Sequence, residues 1–258
     1  MATPNLNSSP SRRLRVDGES QGRTLLVKKL NPAGSSPASL RSQLPISSTS
    51  EYCEGQVIYG ADHPSKSVYL VVTGIVEVSR LIEGASGALL EIVRPGEVFG
   101  ESAFLAVPYR SERATALENA MLMTWTISEM EDLVMRRPEL AVALVQFFAQ
   151  RNAEVNRRIE SLSLDTIERR LACSLIRLSE RLGKPEGDGS VRMMPLTDEM
   201  LSRYVGASCE IITYYMNRFQ KQGYVSYSRY GLVLYHDPLR ELLSETARKS
   251  RSRRRALR

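Results

Sequence analysis

The chain has 258 residues, enough for two domains with separate cores, and its hydrophobic (42%) and charged (25%) fractions are those of an ordinary soluble globular protein with no run of about 20 apolar residues to span a membrane. Its three cysteines, Cys53, Cys173 and Cys209, are scattered and odd in number, and its two histidines, His63 and His236, stand alone; this pattern suits a reducing, cytoplasmic setting, carries no metal-ligand spacing and makes catalysis a poor first guess. The net charge of +6 belongs to the ends: residues 1–50 sum to +5 and residues 247–258 to +7, which leaves the middle at −6, so the high isoelectric point says little about the folded parts.

Residues 1–48 are rich in Ser, Pro, Asn and Arg and are expected to form a disordered basic arm. They lack the apolar core of a secretory signal, and an organelle transit peptide stays open as an alternative. From 49 to 137 a period of two sets in. Short strands are expected at Gly55–Tyr59, Val68–Val72, Gly74–Val78, Ala88–Val93 and Ala120–Trp125, with turns at Asp62–Ser65, Glu83–Gly87 and Arg94–Glu97. This spacing predicts a small barrel or jelly roll.

Ser128 is then expected to cap a short helix that Pro138 closes. A long helix follows over 138–163, with Leu140, Ala141, Leu144, Val145, Phe148, Val155, Ile159 and Leu162 among its apolar positions. That is more apolar surface than one small roll can cover, and it predicts a homodimer seam. Residues 164–246 make the next unit: a helix from Thr166 to Leu182, a polar loop, a short strand VRMM, two helices and a hairpin. Residues 247–258 read as a disordered basic tail.

The two helices lie in LTDEMLSRYVGASCEIITYYMNRFQKQG. Thr197 starts the first, Gly206 breaks it where a positive φ is expected, and Ser208 caps the second, Cys209 to Gln222. The second carries Ile212, Tyr215, Met216 and Phe219 on one face, with Cys209, Glu210, Thr213, Tyr214 and Asn217 on the other. A helix pair with a Gly-containing turn and a polar outer face on its second member is the layout of a helix-turn-helix, whose second helix fits the major groove of double-stranded DNA. An ordinary helical hairpin within a core is the alternative. Glu210, Tyr214 and Thr213 are the expected base contacts, with Cys209 and Asn217 beside them. Arg203, Ser208 and Arg218, with Thr197, are the expected backbone contacts.

A second constellation lies in RPGEVFGESAFLAVPYRSERATALE, where Gly100-Glu101 is followed by Arg110-Ser111. Free backbone N–H groups and an Arg suit a phosphate, and a carboxylate suits a ribose hydroxyl. A plain Glu101–Arg110 ion pair explains the same spacing.

Taken together, order, lengths and motifs from about Tyr52 to Leu242 resemble the cyclic-AMP receptor protein/FNR family of bacterial transcription regulators. The resemblance implies an α+β fold: an N-terminal β-roll sensor, a long dimerisation helix and a C-terminal winged helix-turn-helix. It also implies dimers on palindromic sites, contact with RNA polymerase, and an effector site at Gly100, Glu101, Arg110 and Ser111, with Asn156 on the long helix to meet a base. A cyclic nucleotide is the implied effector. Glu112 stands where nucleotide-binding members carry a small residue, and Arg113-Ala114 is an alternative placing of the cassette. The four cysteines of an iron–sulfur sensor are missing. So are the arginines expected at 209 and 214, which predicts that a TGTGA-type half-site is not recognised. Three other readings stay open: a cyclic-nucleotide module acting on a protein partner, an effector-independent regulator, and a cupin-type enzyme, for which metal ligands inside the strands are lacking.

Overall fold

β-Branched and aromatic residues at alternate positions make the first half a roll of eight short antiparallel strands. The computed structural model describes residues 40–244 apart from 42, 83, 84 and 229; the expected arm up to residue 39 and the basic tail lie outside the described residues. The strands are β1 (Ser48–Tyr52), β2 (Val57–Tyr59), β3 (Ser67–Thr73), β4 (Val76–Ile82), β5 (Ala85–Val93), β6 (Val98–Phe99), β7 (Arg113–Ala116) and β8 (Ala120–Thr126). They form two sheets, ordered β1-β8-β3-β6 and β2-β7-β4-β5. Val71, Val76, Val93, Phe99, Ala114 and Leu122 fill the core of the roll. Each of the larger side chains contributes about 1.5–3 kcal/mol by leaving water.

Three local expectations need correction. The end of the arm is ordered: Leu40 and Leu44 are buried against Trp125 and Met130, a helical i, i+4 pair that the polar composition around it conceals. The short helix α1 (Ile127–Arg136) is capped by Thr126, not Ser128. Thr126 Oγ1 accepts from the Glu129 N–H, and Glu129 accepts from the Thr126 N–H, a reciprocal capping box. Third, β5 already begins at Ala85, and Gly87 sits inside it at φ 71, where a Cβ would lie 2.7 Å from the Arg80 carbonyl oxygen. The register shifts beside it, so this glycine serves a bulge within the hairpin.

Pro138 opens the long helix α2 (Pro138–Leu164), and Thr166 caps α3 (Ile167–Leu182). Then come β9 (Lys184–Pro185), β10 (Val191–Met193), α4 (Asp198–Val205), α5 (Cys209–Lys221), β11 (Val225–Ser228) and β12 (Gly231–Leu234). The wing hairpin β11–β12 extends through β10 and β9 into a four-stranded sheet. Leu175, Leu201, Ile212, Met216, Phe219 and Leu232 make the core of this half, and Leu89 and Ile92 of β5 join it. β5 is therefore apolar on both faces, one toward the roll and one toward the helices. On α2, Val145, Val155, Ile159 and Leu162 remain exposed.

Candidate nucleic-acid interface and effector site

The helix pair forms as its caps dictate. Thr197 Oγ1 accepts from the Met200 N–H at 3.1 Å, and Ser208 Oγ accepts from the Ile211 N–H at 3.4 Å. Gly206 takes φ 72 and ψ 53, the left-handed conformation that ends α4 and turns the chain into α5. On α5, Ile212, Met216 and Phe219 are fully buried, which fixes the opposite face outward. Cys209, Glu210, Tyr214, Asn217 and Arg218 are exposed, Tyr214 to 62%. The Glu210 carboxyl is held below its usual range by its own backbone N–H and by the Ser208 hydroxyl, so it presents a negative charge at the start of the helix.

Not every expected residue is free on this face. Thr213 is half-buried and its hydroxyl donates to the Asp198 carboxylate. Arg218 lies 3.3 Å from Glu168. Arg203 is the clearest correction: it points to the roll, where Nη1 and Nη2 meet Glu77 Oε1 and Oε2 at 2.8 and 3.2 Å. Its position on α4, facing β4, puts it behind the polar face that its sequence neighbourhood suggested.

Other charged pairs tie the same two halves. Arg181 of α3 meets Glu97 at 2.8 Å, and Arg94 donates to the Arg181 carbonyl at 2.8 Å. Arg158 of α2 donates to the carbonyls of Leu89, Leu90 and Tyr204 and stacks on the Tyr204 ring.

In the roll, Gly100 adopts φ 82 and leads into a 3-10 helix, Glu101–Leu105. A Cβ there would lie 3.1 Å from the Ser67 carbonyl oxygen and 3.2 Å from Arg110, so the close turn requires glycine. Glu101 and Arg110 do not pair. Arg151 of α2 holds Glu101 at 3.2 Å and also meets Glu91. Partial burial lifts the Glu101 carboxyl above its ordinary value, and the Glu112 charge adds to this.

Arg110 is 3% exposed, with its guanidinium 3.9 Å above the Tyr59 ring. It donates to the carbonyls of Ser67 and Gly100, and to Ser102 Oγ at 3.1 Å. Beside it lies Glu112, itself buried, whose Oε1 is 3.5 Å from Arg110 Nη1 and accepts from Ser102 Oγ. Glu112 Oε2 accepts from both the N–H and the hydroxyl of Ser111 at 3.2 Å. Ser111 Oγ in turn accepts from Arg80.

A cavity of about 490 Å³ opens in front of this cluster. Tyr59, Arg80, Glu101, Ser102, Ser111 and Glu112 line it from the roll, Glu154, Val155 and Arg158 from α2, Arg177 and Arg181 from α3, and Tyr204 from α4. Asn156 is not in its wall: it is exposed on another face of α2, because the helical phase aims 154, 155 and 158, not 156, at the cavity. The Tyr59 hydroxyl is buried with no hydrogen-bond partner among the described residues. Tyr59, Ser102, Arg80 and Glu77 were not singled out from sequence. Only Ser102, directly after Gly100-Glu101, carried a local signal.

The comparisons with known proteins agree with this fold. A family described as cyclic nucleotide-binding domain matches residues 49–137. The transcriptional regulator SdrP of Thermus thermophilus is 32% identical over 192 residues, covering 73% of this chain and 89% of that protein. A protein of Mycobacterium tuberculosis described as a CRP-like cAMP-activated global transcriptional regulator is 25% identical over 68% of this chain and 78% of its own length. Among solved structures, a CRP/FNR-family transcriptional regulator from Thermus thermophilus superposes with a TM-score of 0.63 at 31% identity, over 76% of this chain and 98% of that one. The FixK2 structure from Bradyrhizobium japonicum gives a TM-score of 0.66 at 22% identity, over 77% and 98%, and shows the shared fold. With a roll, a long helix and a capped helix-turn-helix in one order, and a relative of this identity matched over nearly its full length, the chain belongs to the CRP/FNR family of transcriptional regulators.

Proposed function

We propose that the protein is a homodimeric, sequence-specific DNA-binding regulator of transcription that reads its operator with the outer face of α5. One observation carries the reading: α5 buries Ile212, Met216 and Phe219 completely while its polar side, with Tyr214 62% exposed, meets solvent. Glu210 suits a cytosine amino group, and Tyr214 and Asn217 suit A/T edges and phosphate. The exposed apolar positions Val145, Val155, Ile159 and Leu162 of α2 support a second copy packed along that helix. The chain divides by this reading into a roll (49–137), a dimerisation helix (138–163) and a DNA-binding unit (164–246). RNA polymerase is the further partner, the setting is cytoplasmic, and no catalysis is assigned. Among the described residues no helix is long and apolar enough to cross a membrane.

Selection of genomic fragments by the purified protein, with and without cyclic nucleotides, tests this. It should return one two-fold-symmetric operator that is not of TGTGA type. Substituting Tyr214→Ala should weaken that operator by about 10–100-fold, the worth of a specific base contact, and leave non-specific DNA nearly unchanged. Uniform weakening on all DNA would refute the base-reading role of Tyr214.

For the roll, Gly100, Glu101, Arg110 and Ser111 are the residues a cyclic nucleotide would use. The arrangement of Arg110 and Glu112 favours the second reading, a regulator that needs no such effector.

A further inference from the structure

The Arg110, Ser102 and Ser111 donors of the expected phosphate cassette already have partners. Arg110 gives its guanidinium to two backbone carbonyls, Ser102 and Glu112. The Ser111 N–H and hydroxyl and the Ser102 hydroxyl all point to the Glu112 carboxylate. Arg110 does not line the cavity, whereas Ser102, Ser111 and Glu112 do. Glu112 thus stands between the cation and the open space, accepting a backbone N–H, two hydroxyls and a guanidinium contact, the donor set that an anionic oxygen needs.

We propose that Glu112 is a built-in anion that fills the phosphate seat of the roll, so that the protein binds its operator without a nucleoside 3′,5′-cyclic phosphate and excludes that class of ligand. This inference rests on the regulator reading above and names how its roll is controlled. An incoming cyclic phosphate would bring a second negative charge against a buried carboxylate whose donors are shared already. Its remaining surroundings still suit a nucleotide. The cavity of about 490 Å³ is of ligand size. Arg80 sits beside Ser111, and the unpartnered Tyr59 hydroxyl is a spare donor on the wall. Removing one carboxylate should therefore turn a closed seat into an open one.

The test is calorimetric titration of the full chain and of Glu112→Ala with cyclic AMP and with cyclic GMP, paired with operator binding by anisotropy. Wild-type protein should show no binding up to about 1 mM of either nucleotide, and its operator affinity should change less than about twofold. Glu112→Ala should bind at least one of them at least tenfold more tightly than the wild-type limit. Glu112→Gln keeps the shape and removes the charge, and serves if the alanine variant is not folded by circular dichroism; it should show a gain of the same sign. Wild-type binding of either nucleotide at or below about 1 mM overturns the proposal, as does a folded position-112 variant with no gain. Loss of the regulator reading is visible separately, as failure of the wild-type chain to retain any operator, and leaves the nucleotide titration readable on its own.

Discussion

Arg203→Met tests whether α4 is held to the roll by a buried fork. Glu77 and Arg203 meet through two contacts, 2.8 and 3.2 Å, with side chains only 7% and 14% exposed. Methionine keeps the length of the arginine stem and strands the Glu77 carboxylate. Breaking a buried pair costs about 3–5 kcal/mol, because a charge is left desolvated and alone. Arg203 is not fully enclosed, and its Nε has no hydrogen-bond partner among the described residues, so the lower end applies, about 3 kcal/mol. For a chain of this size that is a fall of about 6–12 °C in Tm. Glu77→Met combined with Arg203→Met removes both charges and should recover most of the loss. The assay is denaturant unfolding of the wild type, both single variants and the double variant as a cycle. A cost for Arg203→Met under about 1 kcal/mol, or a double variant no better than Arg203→Met, would refute the reasoning. The same proteins separate the two roles of Arg203. As a phosphate anchor its loss would lower the slope of log K against log salt by about 0.9 and leave stability untouched; as a clamp it does the reverse.

Gly231 takes φ 133, and a Cβ there would lie 2.0 Å from the Met193 carbonyl oxygen. Gly231→Ala should force β12 away from β10 and cost more than about 3 kcal/mol, read as a lowered unfolding midpoint; a loss under about 1 kcal/mol would mean the strands tolerate the opening. Burial holds the Tyr59 phenol well above its ordinary value and pushes Tyr227 up to about 12. The folded state favours the neutral phenol, so its contribution is complete below the unfolded value of about 10 and is lost as pH rises past it. Between pH 8 and 11 the wild type should therefore lose more stability than Tyr59→Phe, and equal losses in urea unfolding would contradict this. Deleting residues 247–258, which carry seven cations, should reduce the magnitude of the salt slope by up to about 6 in DNA binding; an unchanged slope would make the tail irrelevant to DNA.

The helix-turn-helix was legible because its signals are local: Thr197, Gly206 and Ser208 act within one turn of themselves, and the stripe of Ile212, Met216 and Phe219 needs only helical period. Five of the eight strands of the roll, β2, β3, β4, β5 and β8, are legible from alternation for the same reason; β1, β6 and β7 are not. The effector cassette was only half legible. Gly100 is required by its own φ, but the partners of Glu101 and Arg110 come from α2 and from Glu112. The resemblance places Asn156 against a base, whereas the phase of α2 against the roll keeps it out of the cavity wall.

Caps, periods and turn glycines, all short-range, are what the amino-acid order by itself determined here: the main helices and the alternating strands, and that α5 has an apolar and a polar face. Tertiary structure alone decided which charge meets which. Glu77 lies 126 residues from Arg203, and Glu97 lies 84 from Arg181. Coulomb attraction depends on distance in space and on burial, and neither is written in the separation along the chain.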